Sequence, residues 1–221
     1  MSNIIMQEIP SGGWTTNGIA DLSEPSGDIT ITGEVRQYAF YGRTGLGRVV
    51  IPQNTKIAGH AFDGSSATSV FAPNAIFHSA VSAFASMTKC KTLVISSLDT
   101  TFLVMNSTGL EKVDLLGSTA LGGSSLNGCS NLSVMVLRST TVVPMSNTNA
   151  LTNTPFASGK AGGTIYIPKS LYDHLGDGTA NDYQAATNWS TYHGYGTITW
   201  AKIEGSIYEN AYVDGTPIPL A

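Results

Sequence analysis

The stretch Ile57-Ala-Gly-His-Ala-Phe-Asp-Gly64 decides the fold, because variants of it recur at a nearly fixed interval along the chain. The first three copies carry an Ala-Phe pair, and their phenylalanines are 22 residues apart. Two further copies follow at steps of 20 and 22 residues, with another bulky apolar residue in place of Phe. The apolar anchors of the five copies are Phe40, Phe62, Phe84, Val104 and Leu126. A repeat of this length predicts a stacked, solenoid-type protein.

A second apolar signature follows each anchor. Its first copy is Leu46-x-x-Val49-x-Ile51, and further copies begin at Ala67, Cys90, Leu110 and Leu132. The last three residues of each copy alternate inward, outward and inward, which is typical of a short β-strand. A unit of about 22 residues cannot bury its own apolar edge, so the units are expected to stack around a continuous core. A β-sandwich would instead space its strands about 8 to 12 residues apart.

These residues resemble the repeats of BspA-like leucine-rich-repeat proteins, whose units carry a strand ending in Ile-Pro, as in Ile51-Pro52, followed by an Ala-Phe motif. The stretches Gly163-Thr-Ile-Tyr-Ile-Pro-Lys-Ser-Leu171 and Ala185-Ala-Thr-Asn-Trp189 are similar to the segment that closes many such chains from gut bacteria and their prophages. Val104 and Leu126 depart from the motif. The resemblance implies adhesion or recognition at a cell or virion surface, and it carries over no catalytic residue.

The pattern divides the chain into three predicted parts. Residues 1–28 are turn-rich and lack the repeat, which favours an N-terminal cap with Trp14 and Ile19 as candidate plugs of the open solenoid end. Residues 29–168 form the predicted mainly β solenoid, and residues 169–221 the predicted C-terminal cap and tail.

Two short helices are predicted in the C-terminal part, one over 169–175 and one around 183–189. Trp189 and Tyr192 are expected to cover the last repeat, because they are large apolar groups on a segment with little core of its own. The tail over 198–221 is expected either to dock back on the cap or to reach a neighbouring subunit, and both alternatives stay open.

Composition and charge limit the classes of molecule that the protein is expected to bind. Hydrophobic residues make up 42% of the 221 residues and charged residues 12%, with a net charge of −4. The few Lys and Arg are scattered along the chain, which argues against nucleic acid as a partner. The N-terminus has no signal-peptide pattern, and no apolar run approaches the roughly 18 residues that a membrane span needs. We therefore expect no membrane insertion, although a removed signal peptide would leave the same sequence.

The sequence offers few residues for catalysis or for metal binding. The four histidines show no i, i+4 ligand spacing, and the carboxylates near Asp177 do not follow the spacing of an EF-hand. The glycines of Gly42-Arg-Thr-Gly-Leu-Gly47 have the wrong order for a nucleotide loop. Gly122-Gly-Ser-Ser125 is interpreted as a repeat turn that needs the backbone conformations open to glycine. Cys90 and Cys129 hold different positions in the repeat, which predicts two buried, unpaired thiols. No catalytic residue, metal or cofactor is predicted.

A candidate binding surface follows from the strand alternation, since residues between core positions point away from the core. Stacked strands place these residues in two adjacent ladders on the outer face. One ladder is Arg48, Ser69, Thr92, Lys112 and Val134, and the other is Val50, Phe71, Val94, Asp114 and Val136. The second ladder is an apolar stripe, centred on Phe71 and Val94, that we expect at the surface as the contact site for a partner or for a second copy of the chain. A simpler interpretation is that β-branched residues favour strands.

Three functions remain open on the sequence alone. The leading hypothesis is a non-enzymatic recognition or adhesion module that presents its strands to a protein or a glycan, on a bacterial surface or a phage tail. The second is a structural, homo-oligomeric virion component. The third is a polysaccharide-degrading enzyme like a tail spike, for which the strands offer only Asp114 as an outward carboxylate.

Overall fold

The protein is a parallel β solenoid, as the sequence predicts. The computed structural model describes residues 2–5, 27–77, 81–117, 120–209, 211–213 and 216–218. Nine strands form one sheet in the order β1-β2-β3-β5-β7-β8-β9-β10-β11, and every neighbouring pair runs parallel. The strands are β1 (Ser2–Ile5), β2 (Gly27–Thr32), β3 (Leu46–Val50), β4 (Lys56–Ile57), β5 (Ser69–Ala72), β6 (Ile76–Phe77), β7 (Thr92–Ile95), β8 (Lys112–Leu115), β9 (Val134–Leu137), β10 (Gly163–Ile167), β11 (Ile198–Lys202), β12 (Ala211–Val213) and β13 (Thr216–Ile218).

The predicted core positions line the inside of the solenoid. Each residue of the five strand signatures that was assigned to the core is at most 3% exposed. The strands stack in the predicted register, with Val49 beside Val70, Val70 beside Leu93, and Leu93 beside Val113. The continuous apolar ladder that results is what holds units of this length together, because each repeat buries the edge of the next.

The apolar anchors stack in a second column inside the core. The rings of Phe40 and Phe62 lie 4.8 Å apart at an interplanar angle of 4°, and those of Phe62 and Phe84 lie 5.5 Å apart at 13°. Backbone hydrogen bonds connect the turns, for example from Phe62 N to the carbonyl of Ala83. The column continues past Leu126 to Leu151, since Leu126 N donates to the carbonyl of Ala150. This step is three residues longer than the usual 22, and a 3₁₀ turn, Thr148–Leu151, absorbs the extra length.

One turn position of each repeat adopts left-handed backbone two residues before the anchor. We call this set the turn column, and it consists of Tyr38, His60, Ser82, Phe102 and Ser124, with φ between 55° and 61°. The conformation reverses the chain from the outer edge into the core. It favours Gly and Asn, so Tyr, His and Phe at these positions carry a conformational cost.

The glycine turn at Gly122-Gly-Ser-Ser125 has a different cause from the one we expected. Gly122 does not require a left-handed backbone; instead, a Cβ there would lie 2.7 Å from the carbonyl oxygen of Asp99 in the preceding repeat. Gly122 N donates to the carbonyl of Leu98 across this close approach. Glycine is needed because two repeats touch through their backbones.

The C-terminal part contains two short helices and one more strand of the sheet. Helix α1 (Lys169–Tyr172) follows Pro168 as predicted, and helix α2 (Trp189–Gly194) begins where the second helix was expected to end. Asn188 explains the shift: its backbone is left-handed, with φ of 66°, and its amide donates to the carbonyl of Met145 at 2.6 Å. Strand β11 then extends the sheet beyond residue 168.

The aromatic residues of this part cover the end of the core, as predicted. Trp189 and Tyr183 are 0% exposed and Tyr192 is 3% exposed. Trp189 Nε1 donates to the carbonyl of Val143 at 2.7 Å, and Tyr183 Oη accepts from Val143 N at 3.0 Å. The candidate N-terminal plugs Trp14 and Ile19 lie outside the described residues.

The two cysteines are unpaired and buried, which confirms that prediction. Burial raises the pKa of the Cys129 thiol to about 12, with a smaller contribution from the nearby Cys90. A thiol with a raised pKa stays protonated at all pH values below that pKa, so Cys129 is a poor nucleophile at neutral pH. Both residues therefore act as small apolar core groups.

Candidate recognition face

The outer face of the sheet carries the two predicted ladders in register. Parallel pairing places Arg48 beside Ser69, Thr92, Lys112 and Val134 in turn, and Thr164 continues this first ladder. The second ladder runs through Val50, Phe71, Val94, Asp114, Val136 and Tyr166. The valines of the second ladder do not belong to the hydrophobic core cluster. The ladders therefore form one face opposite the core.

The first ladder is mostly half-exposed. Arg48, Thr92, Lys112 and Val134 retain part of their surface, whereas Ser69 is 4% exposed. The backbone at Arg48 is held by the preceding repeat, since Arg48 N donates to Asp28 Oδ1 at 2.9 Å. This ladder forms a polar strip beside the second one.

The expectation that the second ladder is a solvent-exposed stripe is wrong for its C-terminal half. Val94, Asp114 and Val136 are 0% exposed, although they point away from the core. Val50 and Phe71 at one end of the ladder and Tyr166 at the other end are half-exposed. Another part of the molecule must therefore cover the outer face of the sheet.

The covering part is the tail segment, which we define as residues 204–218 and of which the structure describes 204–209, 211–213 and 216–218. The ring of Tyr208 lies 4.6 Å from the ring of Tyr166, edge to face, and the Lys112 ammonium lies 5.5 Å from the Tyr208 ring centroid. Further along, β12 lies against β7 and β5 and pairs antiparallel with β13. The tail segment thus crosses the strands from β10 back towards β5. It lies on the sheet of the repeats and not on the C-terminal cap, which was the intramolecular position that we expected.

Asp114 and Arg138 form a buried ion pair on this face. Arg138 Nε donates to Asp114 Oδ1 at 2.7 Å and Arg138 Nη2 donates to Oδ2 at 2.8 Å, while their side chains are 6% and 1% exposed. Burial raises the pKa of Tyr208, and the charge of Asp114 adds to that shift. A bidentate pair of this kind fixes the geometry of both side chains.

Three residues of the face were not identified from the sequence. Tyr166 and Tyr208 lie outside the five clear repeats, where the register was not assigned. Arg138 directly follows Leu137, the last residue of the fifth signature. A cation one repeat beyond Asp114 was therefore a sequence signal for an ion pair between the two residues. Its pairing with Asp114 needs the register of β8 and β9.

Other polar clusters are organised within loops. His60 Nδ1 lies 2.9 Å from Asp63 Oδ2, and His174 Nδ1 lies 2.7 Å from Asp177 Oδ2. Asp182 accepts from the backbone N–H groups of Gly178 and Gln184, so its carboxylate closes its own loop. Among the described residues, no group of three or more His, Cys, Asp and Glu side chains has a metal-binding arrangement. No helix in the same part of the chain is long and apolar enough to cross a membrane.

Comparison with known proteins supports the repeat assignment. The family model described as the BspA type leucine rich repeat region matches residues 28–133 in six copies. No curated protein and no solved structure gives a significant match. Repeats of this family generally occur in surface or adhesion-type proteins and are typically non-enzymatic. The 22-residue spacing, the buried signature positions and the family match agree, and residues 28–133 form a BspA-type leucine-rich-repeat region.

Proposed function

We propose that the protein is a recognition module whose outer sheet face binds an extended polypeptide, and that the tail segment occupies this face in the absence of a partner. The observation that supports this most directly is the complete burial of Val94 and Val136 on the face opposite the core. Because a segment of polypeptide, the tail, covers these valines, we infer that the face fits a polypeptide in shape and polarity. A partner on a bacterial surface, met by a surface protein or a phage tail, is the setting we favour.

The chemistry of the face suits an aromatic-bearing peptide. Val94 and Val136 supply apolar contacts, Tyr166 supplies an edge-to-face ring contact, and Lys112 supplies a cation over an aromatic ring. Aromatic residues that are buried among such groups typically contribute most of the binding energy at protein interfaces. In the tail segment, Tyr208 is the residue that uses these contacts.

The N-terminal half of the face provides room for a partner to begin binding. Val50, Phe71 and Arg48 are only half-buried there. A partner that first contacts these side chains and then displaces β12 would extend along the ladders. The partner would then have to bind the face more strongly than the tail segment does, because the contacts of the tail segment are lost when it is displaced.

A homo-oligomer is the second candidate function, and the same face supports it. If the tail segment of one copy occupies the face of another, the contacts are the same and the chains assemble by exchange. The polysaccharide-degrading alternative gains nothing from Asp114, because both of its carboxylate oxygens are held by Arg138 in a buried pair.

The test is a titration of a synthetic peptide with the sequence of residues 204–218 into a chain that ends at Ile203. This shortened chain keeps the whole hydrophobic core cluster and all strands of the main sheet. We expect saturable binding to the shortened chain by calorimetry and none to the full chain, whose face is occupied. A peptide with Tyr208→Ala serves as the matched control and is expected to bind at least about tenfold more weakly.

The outcome separates the candidates. Binding of the peptide to the shortened chain, with a full chain that is monomeric by light scattering, supports a recognition face with its own tail as a lid. A full chain that forms stable dimers, and loses them on shortening, supports assembly by tail exchange. Absence of peptide binding to a folded shortened chain would contradict both.

A further inference from the structure

A cluster of exposed aromatic side chains lies on the turn side of the first two repeats, away from the recognition face. Tyr38 and Tyr41 are 54% and 58% exposed, more than Tyr195 at 42% and Phe102 at 39%. The Tyr38 ring stacks on the imidazole of His60, with centroids 5.1 Å apart at 14°. The Tyr41 ring stands nearly perpendicular to Tyr38, 5.6 Å away at 79°. The nearly perpendicular rings of Tyr38 and Tyr41, with the imidazole of His60, form an open surface that we call the aromatic corner.

The hydrophobic core fixes the backbone that carries the two tyrosines of the aromatic corner. Tyr38 and Tyr41 flank Phe40, which is 1% exposed and stacks on Phe62 in the core. Phe40 N donates to the carbonyl of Ala61, and Gly42 N to that of Asp63, so the two turns that carry the rings are joined by backbone hydrogen bonds. The backbone that carries the two rings is therefore fixed by the core and by the neighbouring turn.

Polar groups lie at the edge of the corner. His60 Nδ1 lies 2.9 Å from Asp63 Oδ2, and a neutral imidazole that donates this bond presents Nε2 as an acceptor. The side chains of His60 and Asp63 are 32% and 16% exposed. The space beside Gly42, the residue that follows Tyr41, is open, because a Cβ added at Gly42 would meet nothing within 4 Å. Aromatic faces thus adjoin hydrogen-bonding atoms on an accessible surface.

Tyr38 occupies the turn-column position, which is left-handed in all five repeats, so the repeat turn itself fixes the direction of the ring. Tyr38 has φ of 59°, in the left-handed region that bulky residues avoid and that Gly or Asn occupies at little cost. An exposed ring returns little burial energy for this conformation. Asn at this position would therefore remove the ring at little cost to the fold.

We propose that Tyr38, Tyr41, His60 and Asp63 form a glycan-binding site for pyranose rings whose substituents are all equatorial, as in β-linked glucose and N-acetylglucosamine. Such rings carry axial C–H groups on both faces, which pack on the electron-rich face of an aromatic ring. Their equatorial hydroxyls point outward, where the carboxylate of Asp63 and Nε2 of His60 accept hydrogen bonds. A protein ligand would gain less here, because protein anchors bind most strongly in fully desolvated pockets, whereas both rings are more than half exposed.

The test uses the full chain, with cellotetraose and chitotetraose as probes and mannotetraose, whose rings carry an axial hydroxyl, as the comparison sugar. We expect saturable binding of at least one equatorial sugar by ligand-observed NMR and calorimetry, with weaker binding of mannotetraose. Tyr41→Ala and Tyr38→Asn should each weaken binding by about tenfold or more. Tyr195→Ala, which removes a 42% exposed tyrosine elsewhere, should bind as the unchanged protein does.

The Tyr38→Asn variant separates a binding role from a structural one. Asn tolerates left-handed backbone, so we expect its melting temperature to equal or exceed that of the unchanged protein while sugar binding is lost. A lowered melting temperature with unchanged binding would show that Tyr38 serves the fold and would overturn the proposal. Absence of binding to both equatorial sugars, or equal binding of mannotetraose, would overturn it as well.

Discussion

Trp189→Ala is expected to lower the free energy of unfolding by about 3–5 kcal/mol, the usual cost of removing a buried tryptophan. Trp189 is 0% exposed, its indole N–H donates to the carbonyl of Val143, and its ring contacts the rings of Tyr183 and Trp200. The substitution leaves both a cavity and an unsatisfied carbonyl at the end of the core. Urea denaturation followed by circular dichroism measures the loss.

Tyr195→Ala is the control for this experiment, since an exposed aromatic near the same helix should change stability by no more than about 0.5 kcal/mol. A chain that ends after Pro168 also loses α1, α2 and β11, and we expect it to aggregate. If Trp189→Ala is as stable as the unchanged protein, the C-terminal part does not close the solenoid.

Asp114→Ala is expected to destabilise the protein by about 3–5 kcal/mol, because it leaves the buried guanidinium of Arg138 without its carboxylate. The side chains of both residues are almost completely buried, and the two hydrogen bonds between them are short and bidentate. Replacing both partners together, Asp114→Leu with Arg138→Leu, should restore most of the loss, since an apolar pair removes the uncompensated charge. Thermal and chemical denaturation of the three variants measures these differences.

The exposed pair of Lys91 and Glu111 provides the comparison. Its side chains are 57% and 54% exposed, so Lys91→Ala should cost no more than about 1 kcal/mol. If Asp114→Ala costs as little as Lys91→Ala, then water reaches the Asp114 carboxylate and the outer face is not covered.

The repeat architecture was predictable because its signals are local and recur. The spacing of Phe40, Phe62 and Phe84 and the i, i+3, i+5 signature fix which side chains face the core, and the parallel register of the strands follows. The irregular step to Leu151 was not predictable, since the 3₁₀ turn that absorbs it depends on Asn147, whose side chain accepts from Asn149 N.

The outer face was only half predictable, for a physical reason. Alternation along a strand gives the direction in which Val94 and Val136 point, but it does not say whether solvent lies there. Their cover is the tail segment, which follows β7 by more than a hundred residues and carries no repeat. Tyr208 therefore had no pattern that linked it to Tyr166, and the apolar stripe was interpreted as exposed.

The burial of the apolar stripe also changes its interpretation as an exposed contact site. Fully burying a valine side chain contributes about 1.5–3 kcal/mol, so Val94 and Val136 hold the tail segment in place. The same apolar groups would bind a competing polypeptide once the tail leaves. Under the proposed function, cover and binding site are two states of one surface, and the tail decides which of them a partner meets.

The most direct test of this account is the reactivity of a thiol placed under the tail segment by Val94→Cys. Cys90 and Cys129 are buried, so the new thiol is the one that a thiol reagent reports in the folded protein. We predict slow labelling in the full chain, labelling at least roughly tenfold faster in the chain that ends at Ile203, and renewed protection when the peptide of residues 204–218 is added. Equally fast labelling of the full and shortened chains, with no effect of the peptide, would contradict the claim that the outer sheet face holds the tail.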